Sequence, residues 1–486
     1  MKNQSIWLDN INLGQEKSLE KNLEVDVLII GGGITGLNTA YEFINKGLKV
    51  ALVEKNQIGM GVTSKTTAKI TYLQENIYTK LKKYHNEETA KLYLDSQLES
   101  IEMIKDRIEK NNIDCDFYKT SSYFFTNDQE QIKIVKDEKN LLEKFGIIVS
   151  EETKLANNKK VKYAIKVDNT YVFHPLKYLK GLKKILKKNK IEIYENTKIN
   201  TIDKQEDFFI SKTDDYLIKS KTVILTLHYP YFIYPFFFPL KTTLEKSYIC
   251  AKKCHDFFKF SAINIEKPKE SIRYHKDKKS NYEITLTASH NIAFKNNEEK
   301  NFSQLLKNDK YDYAWSNIDI ITGDYLPYIG KIDSNLLIGT GYNKWGMTNS
   351  ILAGKVLCDI VLGKENKYID LLNPKRGINL VKIINFPVTI GSSLKSFIGS
   401  KINKNKSWYN SNVKFEIRNN KSVGIYIDDN NKEHIVYNKC PHLKCSLIFN
   451  EVEKTWDCPC HGSRFDLDGK CIEGPSNYNI CYKKDK

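Results

Sequence analysis

Apolar residues fall into short runs whose spacing sorts the chain into elements. Val25 to Ile30 (V-D-V-L-I-I) runs into glycines, as a buried parallel strand does. Leu37 to Asn45 then reads as a helix stopped by Gly47, and Lys49 to Val53 as a second strand ending at Glu54. Glu87 to Lys110 sets Leu92, Tyr93, Leu98, Ile101 and Ile104 at helical spacing. Tyr282 to Thr287 is strand-like. Leu336 to Ile338 reads as a strand leading into glycines, with a helix from about Asn349 to Leu362. A short amphipathic helix is expected around Val388 to Ile398. Val413 to Ile417, Val423 to Ile427 and His434 to Tyr437 alternate as short strands. The aromatic stretch Tyr229 to Leu240 holds three prolines and reads as a strand end and crossover.

At 486 residues the chain is long enough for two or three domains. No apolar run approaches the roughly twenty residues of a membrane span. The start, M-K-N-Q-S-I-W-L-D, has neither an apolar signal core nor a twin-arginine pair, so a cytoplasmic location is expected. Net charge is +17, yet only five of the 76 basic residues are arginines, and lysine is spread everywhere. That describes a solvated surface; no nucleic-acid partner is expected, for want of an arginine cluster or recognition motif.

Between the first strand and its helix lies Gly31-Gly32-Gly33-Ile34-Thr35-Gly36, which fits G-x-G-x-x-G. Glycines let backbone approach a pyrophosphate at a helix N-terminus, and Glu54, eighteen residues after Gly36, can accept ribose hydroxyls. This alone does not separate FAD from NAD. Two further segments bear on the choice. Gly59 to Lys69 is small and hydroxyl-rich, and Thr322 to Gly330 precedes Gly339-Thr340-Gly341 and Trp345-Gly346-Met347-Thr348.

Near the C-terminus stand Cys440-Pro441-His442-Leu443-Lys444-Cys445 and, twelve residues on, Cys458-Pro459-Cys460-His461-Gly462-Ser463. Each half-motif offers one thiolate and one imidazole, the ligand set of a Rieske [2Fe–2S] centre. Cys440 and Cys458 are assigned to one iron, His442 and His461 to the other. A structural zinc site uses a similar tetrahedron but explains neither Cys445 and Cys460 nor the Gly-Ser after His461. Cys445 and Cys460 as free thiols also stay open, since cytosolic disulfides are uncommon. Cys471 and Cys481 read as ordinary residues of a small domain.

The tail resembles the Rieske proteins of cytochrome bc complexes over roughly the last eighty residues, and Gly474-Pro475 resembles their cluster-shielding loop. That resemblance implies a Cys445–Cys460 disulfide. Lys444 stands where that family has glycine, so a different loop backbone is expected there. Phe465 stands where high-potential members have tyrosine, which implies a low potential.

Residues 24–365 resemble FAD-dependent oxidoreductases of the D-amino-acid oxidase and glycine oxidase superfamily, on the early glycine motif, the late D-x-x-P-x-x-G and the Gly341–Thr348 segment. The resemblance implies non-covalent FAD. Gly31, Gly33, Gly36 and Glu54 would hold the ADP half, Ser64, Thr66 and Thr67 the pyrophosphate side, and Ile199 the adenine. Gly341, Gly346, Met347 and Thr348 would lie near the isoalloxazine. The two halves together look like a bacterial group of such oxidoreductases with a C-terminal Rieske domain, supported by Leu227-His228-Tyr229-Pro230 and Lys454-Thr455-Trp456-Asp457.

The expected fold is α/β: a doubly wound FAD-binding domain with an inserted α+β substrate domain, plus a small all-β domain. The oxidoreductase part would span 1–365, with core at about 24–80, 155–235 and 315–365 and substrate cap at about 80–155 and 235–315. A linker at 366–404 and a Rieske domain at 405–486 would follow. The resemblance implies oxidation of an amine or amino acid, with electrons passing through flavin and cluster to an unknown one-electron partner. A reductase running the other way and a non-catalytic redox sensor are the alternatives. Candidate substrate contacts are Arg273, as a carboxylate clamp or a surface ion pair, and His228 and Tyr248, as base or donor or as structural residues. Lys69 and Lys344 would place positive charge near the ring.

Overall fold

The computed structural model describes residues 1–229, 241–292, 298–376, 412–442, 444–450, 453–460, 462–476 and 478–483. The expected segments from Pro230 to Leu240 and from Val388 to Ile398 lie outside them.

The first sheet runs Tyr328–Asp333, Leu336–Thr340, Leu217–Leu225, Leu23–Ile30, Val50–Val53, Glu192–Tyr194. All neighbours are parallel except the first pair. Its central strands read as continuous apolar runs because both faces are covered. Val27, Ile29, Val50 and Leu52 share a core with helices Ile34–Glu42, Pro175–Lys188 and Gly346–Val361. Leu28, Ile30, Ala51 and Val53 point the other way, into a smaller core with Ile199 and Phe209. A Cβ at Gly354 would stand 2.9 Å from the Asn38 carbonyl, so two of these helices cross in backbone contact there. The first helix starts at Ile34, three residues earlier than expected, with Gly33 as its cap.

The second sheet has nine strands: Tyr313–Thr322, Thr242–Cys254, Asn281–Asn291, Ser271–Lys276, Phe260–Asn264, Tyr118–Thr126, Lys160–Val172 and Lys69–Ile70, with Ser150–Lys154 beside Lys160–Val172. Lys160–Val172 and Tyr313–Thr322 are therefore strands of this sheet, where boundaries at 155 and 315 put them with the nucleotide core. Each pairs antiparallel with a strand of the cap. The helix Glu87–Lys110 forms over the expected range, capped by Asn86, whose side chain accepts from the Thr89 N–H at 2.7 Å.

The C-terminal part is all-β. Val413–Arg418, Lys421–Ile427 and Glu433–Tyr437 form one sheet. Ile448–Asn450, Thr455–Asp457, Arg464–Phe465 and Cys471–Glu473 form the other. Trp456 fills the space between them, stacked edge-on against Phe449 and Phe415. Gly424 is required beneath it, since a Cβ there would lie 2.6 Å from the indole. Among the described residues, no helix is long and apolar enough to cross a membrane.

Candidate active site and cluster loops

The first strand delivers Gly31 to the end of the sheet with φ 117°, a backbone conformation that side chains rarely adopt. A Cβ at Gly36 would stand 1.9 Å from the Gly31 carbonyl oxygen, so Gly36 lets the helix pack on the turn. The Ile34 N–H at the helix start donates to Thr63 Oγ1 at 3.1 Å, and no side chain caps Gly33. Glu54 accepts from Gly32 N–H (2.7 Å) and Asn56 N–H (2.9 Å), and burial raises its pKa. A long cleft opens here. Of the expected residues it is lined by Gly31, Gly33, Glu54, Thr66, Thr67, Ile199, Gly341, Gly346 and Met347.

Two expected residues face elsewhere. Ser64 donates to the Gly61 carbonyl at 2.8 Å, because its short 3-10 turn folds the hydroxyl onto its own backbone. Thr348 donates to Gln97 Oε1 at 2.6 Å, on the face of its helix that meets Glu87–Lys110. Thr63 was not foreseen; it sits in the same hydroxyl-rich loop, and only the turn decides which hydroxyl faces the helix. The cleft fits a dinucleotide. It has a glycine cradle and a helix N-terminus whose cap residue is glycine. His228 Nε2, Ser247 Oγ, Asn317 Oδ1 and Asn343 Nδ2 line it as buried polar atoms without a protein partner.

Across the cleft stands the second sheet. Lys69 donates to the Ala262 carbonyl (3.1 Å) and to Ser271 Oγ, and burial, then Arg273, pulls its pKa down to about 7. Lys344 bonds Glu245, and its ammonium lies 3.4 Å from Ser289 Oγ. Lys269 pairs with Glu75 at 2.5 Å. Asp319 is pushed up to about 6 by burial, although Lys344 pulls it down.

Arg273 is neither a carboxylate clamp nor a surface ion pair. Fully buried, it donates to the carbonyls of Thr67 and Ala68, both at 2.8 Å, and lies 5.1 Å from the Trp7 ring. Trp7 donates in turn to the Thr66 carbonyl at 2.6 Å. Both hold the 66–68 loop from behind. Tyr248 takes the structural one of its two expected roles. It points away from the cleft, its hydroxyl 3.2 Å from His290 Nε2 and its ring against Phe302. His228 does line the cleft.

The cluster half-motifs form two facing loops. Cys440 N–H donates to the Cys445 carbonyl (2.8 Å), and Lys444 N–H to the Cys440 carbonyl (2.9 Å). Cys458 N–H donates to the Ser463 carbonyl at 2.7 Å, and Gly462 N–H to the Cys458 carbonyl at 3.0 Å. Cys445 and Cys460 form a disulfide that joins the loops, while Cys440 and Cys458 are buried thiols outside it. The sulfurs of Cys445, Cys458 and Cys460 lie within 4.8 Å of one another. His461 lies outside the described residues; His442 is partly buried at the loop tip. Lys444 has φ 61°, so the left-handed turn that suits glycine is made by a lysine. Ser463 Oγ accepts the Ser476 N–H at 2.8 Å, which leaves its hydroxyl proton to donate. The donor set, with two thiols apart from a disulfide, fits a two-iron cluster.

Residues 26–233 match the family model described as FAD dependent oxidoreductase, and residues 404–482 match that of the Rieske [2Fe-2S] domain. A Bacillus subtilis (strain 168) protein designated a Rieske 2Fe-2S iron-sulfur protein, YhfW, is 31% identical over 97% of this chain and 96% of its own. The chain belongs to this family of FAD-dependent oxidoreductases with a C-terminal Rieske domain. Gamma-glutamylputrescine oxidoreductase of Escherichia coli (strain K12) is 22% identical, over 72% of this chain and 87% of that one. The crystal structure of glycine oxidase from Geobacillus kaustophilus shares the fold, with TM-score 0.58 and 16% identity, over 74% of this chain and all of that one.

The Rieske domain is docked on the flavin domain at the mouth of the nucleotide cleft, which Ile472, Glu473 and Gly474 help to line. Arg464 is the hub. It contacts Glu453 (2.6 Å), Asp457 (3.2 Å) and Glu473 (3.6 Å). Each carboxylate also reaches the flavin domain: Glu453 accepts from Ser316, Asp457 pairs with Lys246 at 3.0 Å, and Glu473 with Lys65 at 2.8 Å. Gly462, beside His461, lies against Leu244 and Ile318 of the substrate sheet. The contacts between the two domains are not legible in the sequence, since each joins residues more than a hundred positions apart.

Proposed function

We propose that the chain oxidises a small organic substrate, an amine or amino acid, in the flavin cleft and passes the electrons singly through its own Rieske cluster to an external acceptor. One observation carries the reading: residues 472–474 of the Rieske domain line the same cleft as Gly31, Gly341 and Gly346. Bound FAD supplies the two-electron chemistry and the cluster supplies one-electron transfer.

The remaining roles belong to the chain. Gly31, Gly33 and the helix N-terminus receive the pyrophosphate, while Glu54 keeps lone pairs for ribose beyond its two backbone bonds. Ile199 lies at the adenine end, and Gly341, Gly346 and Met347 at the ring end. Cys440 and Cys458 hold one iron, His442 and His461 the other. The Arg464 network holds the cluster loops against the cleft. Kinship with the gamma-glutamylputrescine enzyme and the glycine oxidase fold supports C–N oxidation by analogy.

The test is an anaerobic panel of amines and amino acids mixed with holoenzyme. The reading expects flavin bleaching by at least one compound, followed by appearance of the reduced cluster signal. Bleaching that never reaches the cluster contradicts it.

A further inference from the structure

The strand Thr242–Cys254 places Glu245, Ser247 and Ile249 on one face, because alternate residues share a side. Its register with Tyr313–Thr322 sets Ser247 directly opposite Asn317 and Glu245 directly opposite Asp319. On its other side Ser247 faces Ser289. The cleft wall is therefore polar and acidic at its centre, with Ile249, Ile263 and Leu286 beside it.

Two carboxylates opposed across a strand pair repel unless a cation intervenes. Lys344 bonds Glu245 and holds that carboxyl down to about 2, while it reaches Asp319 only through space, without a bond. The other lysines of the wall are also engaged. Lys269 is paired with Glu75, and Lys69 donates to the Ala262 carbonyl and Ser271. Asp319 makes no ion pair among the described residues, and it is partly open to the cleft. Beside it, Ser247 (1% exposed) and Asn317 (5% exposed) each present a buried polar atom with no protein partner. Among the described residues, no arginine lines the cleft to take a carboxylate.

We propose that this wall is a binding site for the ammonium group of an alkylamine, with Asp319 as its counter-ion and Ser247 and Asn317 as its hydrogen-bonding partners. An α-amino acid would bring a carboxylate that meets no arginine here among the described residues and, in Lys344, an ammonium already paired with Glu245. The alkyl chain lies along Ile249, Ile263 and Leu286. This narrows the substrate class of the proposed function and rests on that reading for the location of the flavin.

The test uses oxidised holoenzyme and four probes of similar size: n-propylamine, 1-propanol, propionate and alanine. Binding is read by calorimetry and by saturable change in the visible flavin spectrum. The expected result is binding of n-propylamine, with the other three at least about tenfold weaker. Asp319→Asn, which keeps the shape, weakens n-propylamine by about tenfold or more, and Ser247→Ala weakens it less; FAD and iron content are unchanged in both. Three results overturn the proposal: no binding of n-propylamine, propionate or alanine binding as tightly, or both variants binding n-propylamine like the native protein. An amine that binds and bleaches the flavin while the cluster stays oxidised would defeat the electron-transfer reading and leave this site standing.

Discussion

The Lys65 ammonium of the flavin domain lies 2.8 Å from Glu473 Oε2 of the Rieske domain, 408 residues away, and both groups are largely buried. Lys65 belongs to the turn beside the nucleotide loop, and Glu473 directly precedes Gly474-Pro475. The pair therefore ties the wall of the flavin cleft to the loop beside the cluster. Burial favours neither charge alone; Lys65 and then Arg464 hold Glu473 down at about 2. Glu473→Gln keeps the shape and removes the charge. Reduction of the flavin should be unchanged, while electron arrival at the cluster slows by roughly tenfold, as small positional errors do. Rapid-mixing spectra followed at flavin and cluster wavelengths check both rates.

Arg464→Met would leave Glu453, Asp457 and Glu473 as buried carboxylates without their shared cation. Breaking such a network costs about 3–5 kcal/mol. Denaturant unfolding of the holoprotein, followed by cluster absorbance, should show that loss.

Lys444 holds a left-handed φ of 61° on an exposed turn between Cys440 and Cys445. A side chain there costs about 1–2 kcal/mol, offset in part by the extra chain entropy of glycine. Lys444→Gly should therefore stabilise the Rieske domain by about 0.5–1 kcal/mol. The expectation of a different loop backbone followed from the residue type alone. The turn holds a left-handed φ at Lys444 and is closed by the Lys444 N–H to Cys440 carbonyl bond.

What the sequence disclosed was what lies close along the chain. The glycine turn, Glu54 and the two cysteine–histidine half-motifs each occupy a few consecutive residues, so their chemistry was readable. Strand parity was not. Ser247 through Cys250 are all buried, so no polar alternation marks which side of the strand meets the cleft. Sequence alone therefore does not separate Tyr248 from Ser247, and the fold turns Ser247 to the cleft. Arg273 suggested a carboxylate clamp by its rarity, yet its neighbours Trp7, Thr67 and Ala68 are distant in sequence, and they bury it behind the flavin loop.

Lys69 gives a pH test. Its folded-state pKa of about 7 lies below the ordinary lysine value of 10.5. Between these values the unfolded chain carries a proton that the folded chain lacks, so stability rises with pH there, by about 1.4 kcal/mol per unit from this group. Below about pH 7 both states are protonated and the slope vanishes. Lys69→Met removes the rise whatever else it costs, and thermal unfolding at several pH values between 6 and 10 reads the difference in slope.

The cluster potential should fall in the lower part of the Rieske range of about −150 to +300 mV. Ser463 keeps a hydroxyl proton to donate, but Phe465 is buried in the apolar core and has none to offer. Ser463→Ala should lower the midpoint further, because hydrogen bonds to cluster sulfur raise it. A redox titration monitored by the reduced cluster signal checks both values.

Anaerobic stopped-flow mixing of the holoenzyme with its amine, with freeze-quenched samples for the cluster signal, follows the electrons from substrate to flavin to cluster. Flavin absorbance should be lost first and the cluster then reduced within the same molecule, at a rate independent of protein concentration. Cluster reduction ahead of the flavin, or a cluster that stays oxidised beside fully reduced flavin, would contradict it.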